Sequence, residues 1–122
     1  MYSIKIDYNG LTFGCSEAAY QAAKCANEED RILFIGISGY DAKKLGQQVK
    51  LRSDWYVVQL GIMEEILRIK FSKPNLKKQL LNTKDQFIAE NNTWNDTFWG
   101  IVNGYGKNHL GEILMKIRED IK

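Results

Sequence analysis

The sequence predicts a helix-dominated α+β fold with a small antiparallel sheet, as a single domain spanning residues 1–122. Three observations carry this reading. Residues 3–8 alternate apolar and polar and run into Asn9-Gly10, a dipeptide suited to a tight hairpin turn. Apolar residues elsewhere recur at steps of three or four, the helical period. The only proline, Pro74, falls between two such helical stretches, where a helix can start but not continue.

In chain order, Ile4, Ile6 and Tyr8 share one face of the first strand, and residues 11–14 make the return strand. Ser16 is read as the N-cap of a helix over residues 17–25, since its hydroxyl can accept from a first-turn amide. A second short helix is expected over 27–37, ending near Gly36. A third spans 39–48, with Ala42 and Leu45 inward. The longest starts at Asp54, with Trp55, Val58, Ile62, Ile66 and Ile69 as its apolar stripe. Leu76, Leu80 and Leu81 form the inner face of the helix after Pro74. Residues 86–90 read as a short strand, and 91–108 as a turn-rich stretch. The last helix runs over 109–121, with Leu110, Ile113, Leu114, Ile117 and Ile121 buried.

Composition narrows the function classes. The chain has 122 residues, 44% hydrophobic and 26% charged, which suits a folded domain with its own core. A net charge of +2 is too small to argue for nucleic acid by itself. Two cysteines, Cys15 and Cys25, and one histidine cannot assemble a zinc site, so no metal and no cofactor is expected. Two free thiols and the lack of a signal-peptide pattern in MYSIKIDYNG give a cytoplasmic expectation. No apolar segment reaches membrane-span length.

Three clusters stand out as candidate chemistry. Spacings of four and seven put Glu17, Gln21 and Lys24 on one helical face, with alanine at most remaining positions. Such a stripe is either a solvated face or a charged lining packed into the domain. Asp96 lies between Trp94 and Trp99, a setting for a flat heterocycle beside a carboxylate; the alternative is that the tryptophans plug the core and Asp96 caps a turn. Arg52, Asp54 and Trp55 open the long helix, where Asp54 suits an N-cap and Trp55 either core or pocket wall. The glycine turn 104–106 ahead of Asn108 is a weak anion-binding signal, with Asn108 as helix N-cap the plainer reading. His109 has no evident partner, and the lysine pairs at 43–44 and 77–78 read as solvated faces.

Taken together, these clusters carry a resemblance. Glu17-Ala-Ala-Tyr-Gln-Ala-Ala-Lys24 resembles the E-x-x-Y-Q-A-x-K motif of the NADAR superfamily, the YbiA-like N-glycosidases. The order downstream is similar too: Ala42-Lys43-Lys44-Leu45-Gly46, Arg52-Ser-Asp-Trp55, Met63 with Lys70-Phe71, Leu81-Asn-Thr83 and Glu90, Asp96-Thr-Phe-Trp-Gly100, then Gly106-Lys-Asn-His-Leu-Gly111 with Leu114-Met115 and Arg118. Each motif alone is weak, and their ordered succession from Phe13 to Arg118 is specific. The chain departs from the pattern in three places. Met1-Tyr2-Ser3 stands where members commonly carry a Phe-rich segment, Ala18 where a histidine is frequent, and Gly39-Tyr40-Asp41 in place of a Ser-Pro.

The resemblance implies a NADAR/YbiA-like fold and hydrolysis of an N-glycosidic bond to ribose. It associates two substrate classes: phosphoribosylamino-pyrimidine intermediates of riboflavin synthesis, and ADP-ribose on guanine, with nucleic acid as a carrier. It nominates Glu17, Lys24 and Asp96 as catalytic, the two carboxylates sharing the charge-stabilising and water-activating roles in an order it leaves open. Lys24 would hold a phosphate or act on the opened sugar. Tyr20, Gln21, Trp55, Trp99, Gly100 and Asn108 are the implied substrate contacts. The alternative is a module that holds ADP-ribose or a nucleotide without cleaving it.

Overall fold

The computed structural model describes residues 4–122. Among the described residues the fold is helix-dominated with one two-stranded antiparallel sheet, as expected. The described residues gather into two compact units, one ending at Lys70 and the other starting at Phe71.

In the first unit β1 (Ile6–Tyr8) pairs antiparallel with β2 (Leu11–Phe13), Tyr8 opposite Leu11. Ser3, where the first strand was expected to begin, lies outside the described residues. Asn9 and Gly10 take φ of 52° and 81°, both left-handed, which makes the two-residue turn whose twist matches the strands. Among the described residues, no heavy atom beyond its chain neighbours lies within 4 Å of where a Gly10 side chain would begin, so a substitution there meets only backbone strain. Gly10→Ala is therefore expected to cost about 1 kcal/mol and lower Tm by about 4 °C in a thermal melt, without changing what the protein binds.

The alanine-rich helix α1 (Ser16–Ala23) is the hub of this unit, packing on both strands and on α2 (Glu28–Ile32), α3 (Gly39–Gly46) and α4 (Trp55–Lys70). Its alanines 18, 19, 22 and 23 are all buried, and their small side chains let five elements approach one short helix. The N-cap position is Cys15, not Ser16, and no side chain bonds the first turn there. The second helix is a single short stretch, because residues 33–36 continue as turns to a left-handed Gly36. On α4 the buried residues are Trp55, Ile62, Met63, Ile66 and Leu67, a wider stripe than the five expected positions; Val58 and Ile69 are only half-buried. Tyr8 Oη donates to Glu65 on α4 at 2.9 Å, and burial, then this carboxylate, pushes the phenol up to about 12.

In the second unit α5 (Pro74–Leu81) starts with Pro74 in its first turn, where the missing N–H removes no helical bond. It packs on α6 (His109–Asp120), and Leu76 and Leu80 are its buried residues. The strand expected over 86–90 does not form. Its middle is held by side chains, with Ile88 N–H reaching Met115 Sδ at 3.5 Å and the Ile88 carbonyl accepting from Asn108 Nδ2 at 2.8 Å. Among the described residues its end makes only a single backbone bond, to Ile101 N–H through the Glu90 carbonyl. Arg118, 7% exposed, anchors the same stretch by donating to Thr83 Oγ1 and the Gln86 carbonyl. Among the described residues no helix is long and apolar enough to cross a membrane.

Candidate active site

The Glu17, Gln21 and Lys24 stripe is not a solvated face. Gln21 is buried, and Glu17 and Lys24 are half-buried. Helical spacing brings the first two together: Gln21 Nε2 donates to Glu17 Oε1 at 3.1 Å. Lys24, at the C-cap of α1, is within electrostatic reach of Glu17. Burial pulls its ammonium below the ordinary lysine value, and the Glu17 carboxylate only partly restores it. This end of α1 is fastened to the chain ahead of α4. Arg52 N–H donates to the Lys24 carbonyl and Ala26 N–H to the Lys50 carbonyl, each at 2.8 Å.

Tyr20 and Trp55 also come together, their rings 5.1 Å apart and tilted by 56°. Both are almost wholly buried, at 5% and 4% exposure. Of the two sequence readings of Trp55, core is the one its burial supports. Asp54 accepts both forks of Arg52, at 2.6 and 3.1 Å, so its carboxylate closes an ion pair rather than acting as a free base. Cys25 is fully buried, and burial raises its thiol to about 11, which removes it as a nucleophile at neutral pH.

The second unit holds Asp96, Trp99, Gly100 and Asn108. Asp96 Oδ1 accepts the N–H groups of Phe98 and Trp99 at 3.2 and 2.8 Å, the turn-capping geometry. Asn92, itself buried, clamps Asp96 by bonding its N–H and its carbonyl. The turn is docked on α6. His109 and Leu110 donate their N–H groups to the Phe98 and Trp99 carbonyls, which satisfies amides that a helix start leaves open. Trp99 is half-buried, whereas Trp94 is 59% exposed and does not plug the core. A side chain at Gly100 would collide with the Glu90 carbonyl, so this glycine serves a close backbone approach. Asn108 sits at the N-cap position with φ 53° but does not cap. Its carboxamide bonds Ile88 O and Glu90 N–H, and it is 3% exposed.

Sequence reasoning passed over two features. His109 was read as incidental, yet its ring lies 4.6 Å from Phe98 and 6.4 Å from Trp99. Only the folded turn brings those rings together. The second is the face of α3 against α1, made of Gly39, Ala42 and Gly46. Their spacing of three and four was legible, and its meaning lay in what α1 places opposite. Among the described residues no three of His, Cys, Asp or Glu are grouped as a metal site.

Residues 2–122 match the sequence profile of the NADAR domain. An N-glycosidase of Nostoc punctiforme is 35% identical over 114 residues, covering 87% of this chain and 72% of that protein. A riboflavin biosynthesis protein of Vibrio vulnificus is 34% identical over 128 residues, 99% of this chain and 34% of its own length. The NMR structure of the Escherichia coli protein YbiA superposes with a TM-score of 0.86 at 34% identity, covering 98% of this chain and 73% of that one.

Proposed function

We propose that this chain, which belongs to the NADAR domain family, is a hydrolase that cleaves an N-glycosidic bond to a phosphoribosyl or ADP-ribosyl group. The observation that carries the reading is the half-buried stripe on α1, where a desolvated lysine stands by a carboxylate that a buried amide holds. The N-glycosidase named in Nostoc punctiforme supports the type of bond cleaved, and the riboflavin biosynthesis protein named in Vibrio vulnificus supports a phosphoribosylamino-pyrimidine as one substrate class; ADP-ribosyl-guanine rests on the resemblance of the motifs alone.

The reaction breaks the bond between the anomeric carbon and the base nitrogen. Water supplies a hydroxyl to that carbon and a proton to the departing base. Positive charge builds on the ribosyl ring on the way, which a carboxylate stabilises. Glu17 is the carboxylate assigned to this in the first unit, and Asp96 is the second one nominated by the family motifs.

Two roles are open to Lys24, and they carry opposite pH signs. As a phosphate holder it must be charged, so activity falls as pH rises through its lowered pKa. As a nucleophile that condenses with the opened sugar it must be neutral, so activity rises over the same range. In the second case, borohydride added during turnover reduces the imine and leaves a ribosyl adduct on Lys24 that mass spectrometry locates.

Incubation with ADP-ribosylated guanosine and, separately, with the phosphoribosylamino-pyrimidine tests the whole reading. Release of ADP-ribose or ribose phosphate is the expected result. Tight retention of intact ligand without product would make the domain a binding module instead.

A further inference from the structure

Helix α3 begins and ends on glycine, and Gly39, Ala42 and Gly46 share one face by their spacing. That helix packs on α1. A side chain at Gly39 would start 3.3 Å from Glu17 Cβ. One at Gly46 would collide with Gln21 Oε1 and lie 2.9 Å from its Cδ. The acidic and amide side chains of α1 therefore rest on the smallest surface α3 can present.

Gln21 is 7% exposed, and its Oε1 is buried with no hydrogen-bond partner among the described residues. A buried carbonyl oxygen without a donor is unfavourable, and a glutamine free to choose would turn that oxygen to water. Reversing the amide does not help, because its oxygen would then face the Glu17 carboxylate. The arrangement has one evident return: Nε2 donates to Glu17 Oε1.

We infer that Gln21 is a positioning residue that fixes the Glu17 carboxylate, and that Gly46 is the seat that lets it do so. The amide takes up Oε1 and leaves Oε2 for the charge that develops on the ribosyl carbon. Gln21 thereby acts through Glu17 rather than by touching substrate. The kinetic consequence rests on the N-glycosidase reading; the geometric one does not.

Gly46→Ala puts a methyl group where the Gln21 oxygen lies. The obstructing atoms belong to the flexible end of a side chain, so Gln21 swings away and the fold survives. The expected result is a kcat lowered about 10²-fold with KM changed less than about threefold. In a Gln21→Ala background the methyl group has room, and Gly46→Ala should then change kcat less than about threefold, a strongly non-additive pair. Equal losses in both backgrounds, or an unchanged kcat in Gly46→Ala, overturn the proposal. Gln21→Leu, which keeps bulk and removes the donor, should lose as much kcat as Gly46→Ala, and a fully active Gln21→Leu also overturns it.

A second readout needs no turnover. Glu17→Ala should shift the Gln21 side-chain amide signals in an NMR spectrum of the wild-type background, and should leave them still in the Gly46→Ala background. Amide signals indifferent to Glu17→Ala in the wild-type background refute the positioning. A wild-type protein that cleaves no N-glycoside refutes the functional reading instead, and the NMR comparison then decides the geometry separately.

Discussion

Replacing Glu17 with glutamine lowers kcat by about 10³-fold and leaves the melting temperature nearly unchanged. The size follows from the charge. Cleavage of an N-glycoside passes through a ribosyl cation-like state, and removing one well-placed electrostatic partner of such a state costs about 10²–10³ in rate. Glu17 is half-buried, so water screens it less than it would a surface carboxylate. Glutamine has nearly the same shape and still offers an oxygen to Gln21 Nε2, so α1 keeps its packing. Asp96→Asn is the matched experiment. An asparagine oxygen can accept the same Phe98 and Trp99 N–H groups, so the turn persists and only the charge is lost. A fall in kcat of about 10² is expected. Wild-type turnover of every N-glycoside by both variants would sink the mechanism.

How far these residues could be read from sequence depends on the range of the interactions that place them. The hairpin was legible because Asn9-Gly10 states its own geometry within two residues. The long helix was legible because its stripe repeats over four turns, and Pro74 marks the next start by local chemistry alone. The segment 86–90 misled because its apolar character fits a strand, whereas its structure is set by Asn108 and Met115, about 20 or more positions away. The stripe on α1 was visible as a spacing. Whether it met water or protein depended on the small face of α3 lying against it, and that pairing between two helices is what no local pattern reveals.

Asn108 shows the same limit with a measurable consequence. The family motifs made it a substrate contact, and its place ahead of α6 made it a cap. In the fold it is a buried strut. Its nitrogen donates to the Ile88 carbonyl at 2.8 Å and its oxygen accepts from Glu90 N–H at 3.1 Å. Its backbone is left-handed, a conformation asparagine adopts more readily than alanine. Gly111 leaves space for it, since a side chain there would meet both the Asn108 carboxamide and the Ile88 carbonyl. Asn108→Ala strands two half-buried backbone groups, at about 1 kcal/mol or more each, and adds about 1 kcal/mol of backbone strain. The expected loss is about 3 kcal/mol, or a Tm lower by about 10 °C. Asn108→Gly separates the parts: it loses the same two bonds without the strain, so it should melt between the alanine variant and the wild type. A direct substrate contact would give the reverse pattern, with the alanine variant melting like the wild type while its KM rises about tenfold. Denaturation and steady-state kinetics on the three proteins therefore decide whether Asn108 holds the loop or the ligand. The strut predicts that stability is lost and that KM, measured well below the melting range, changes less than about twofold.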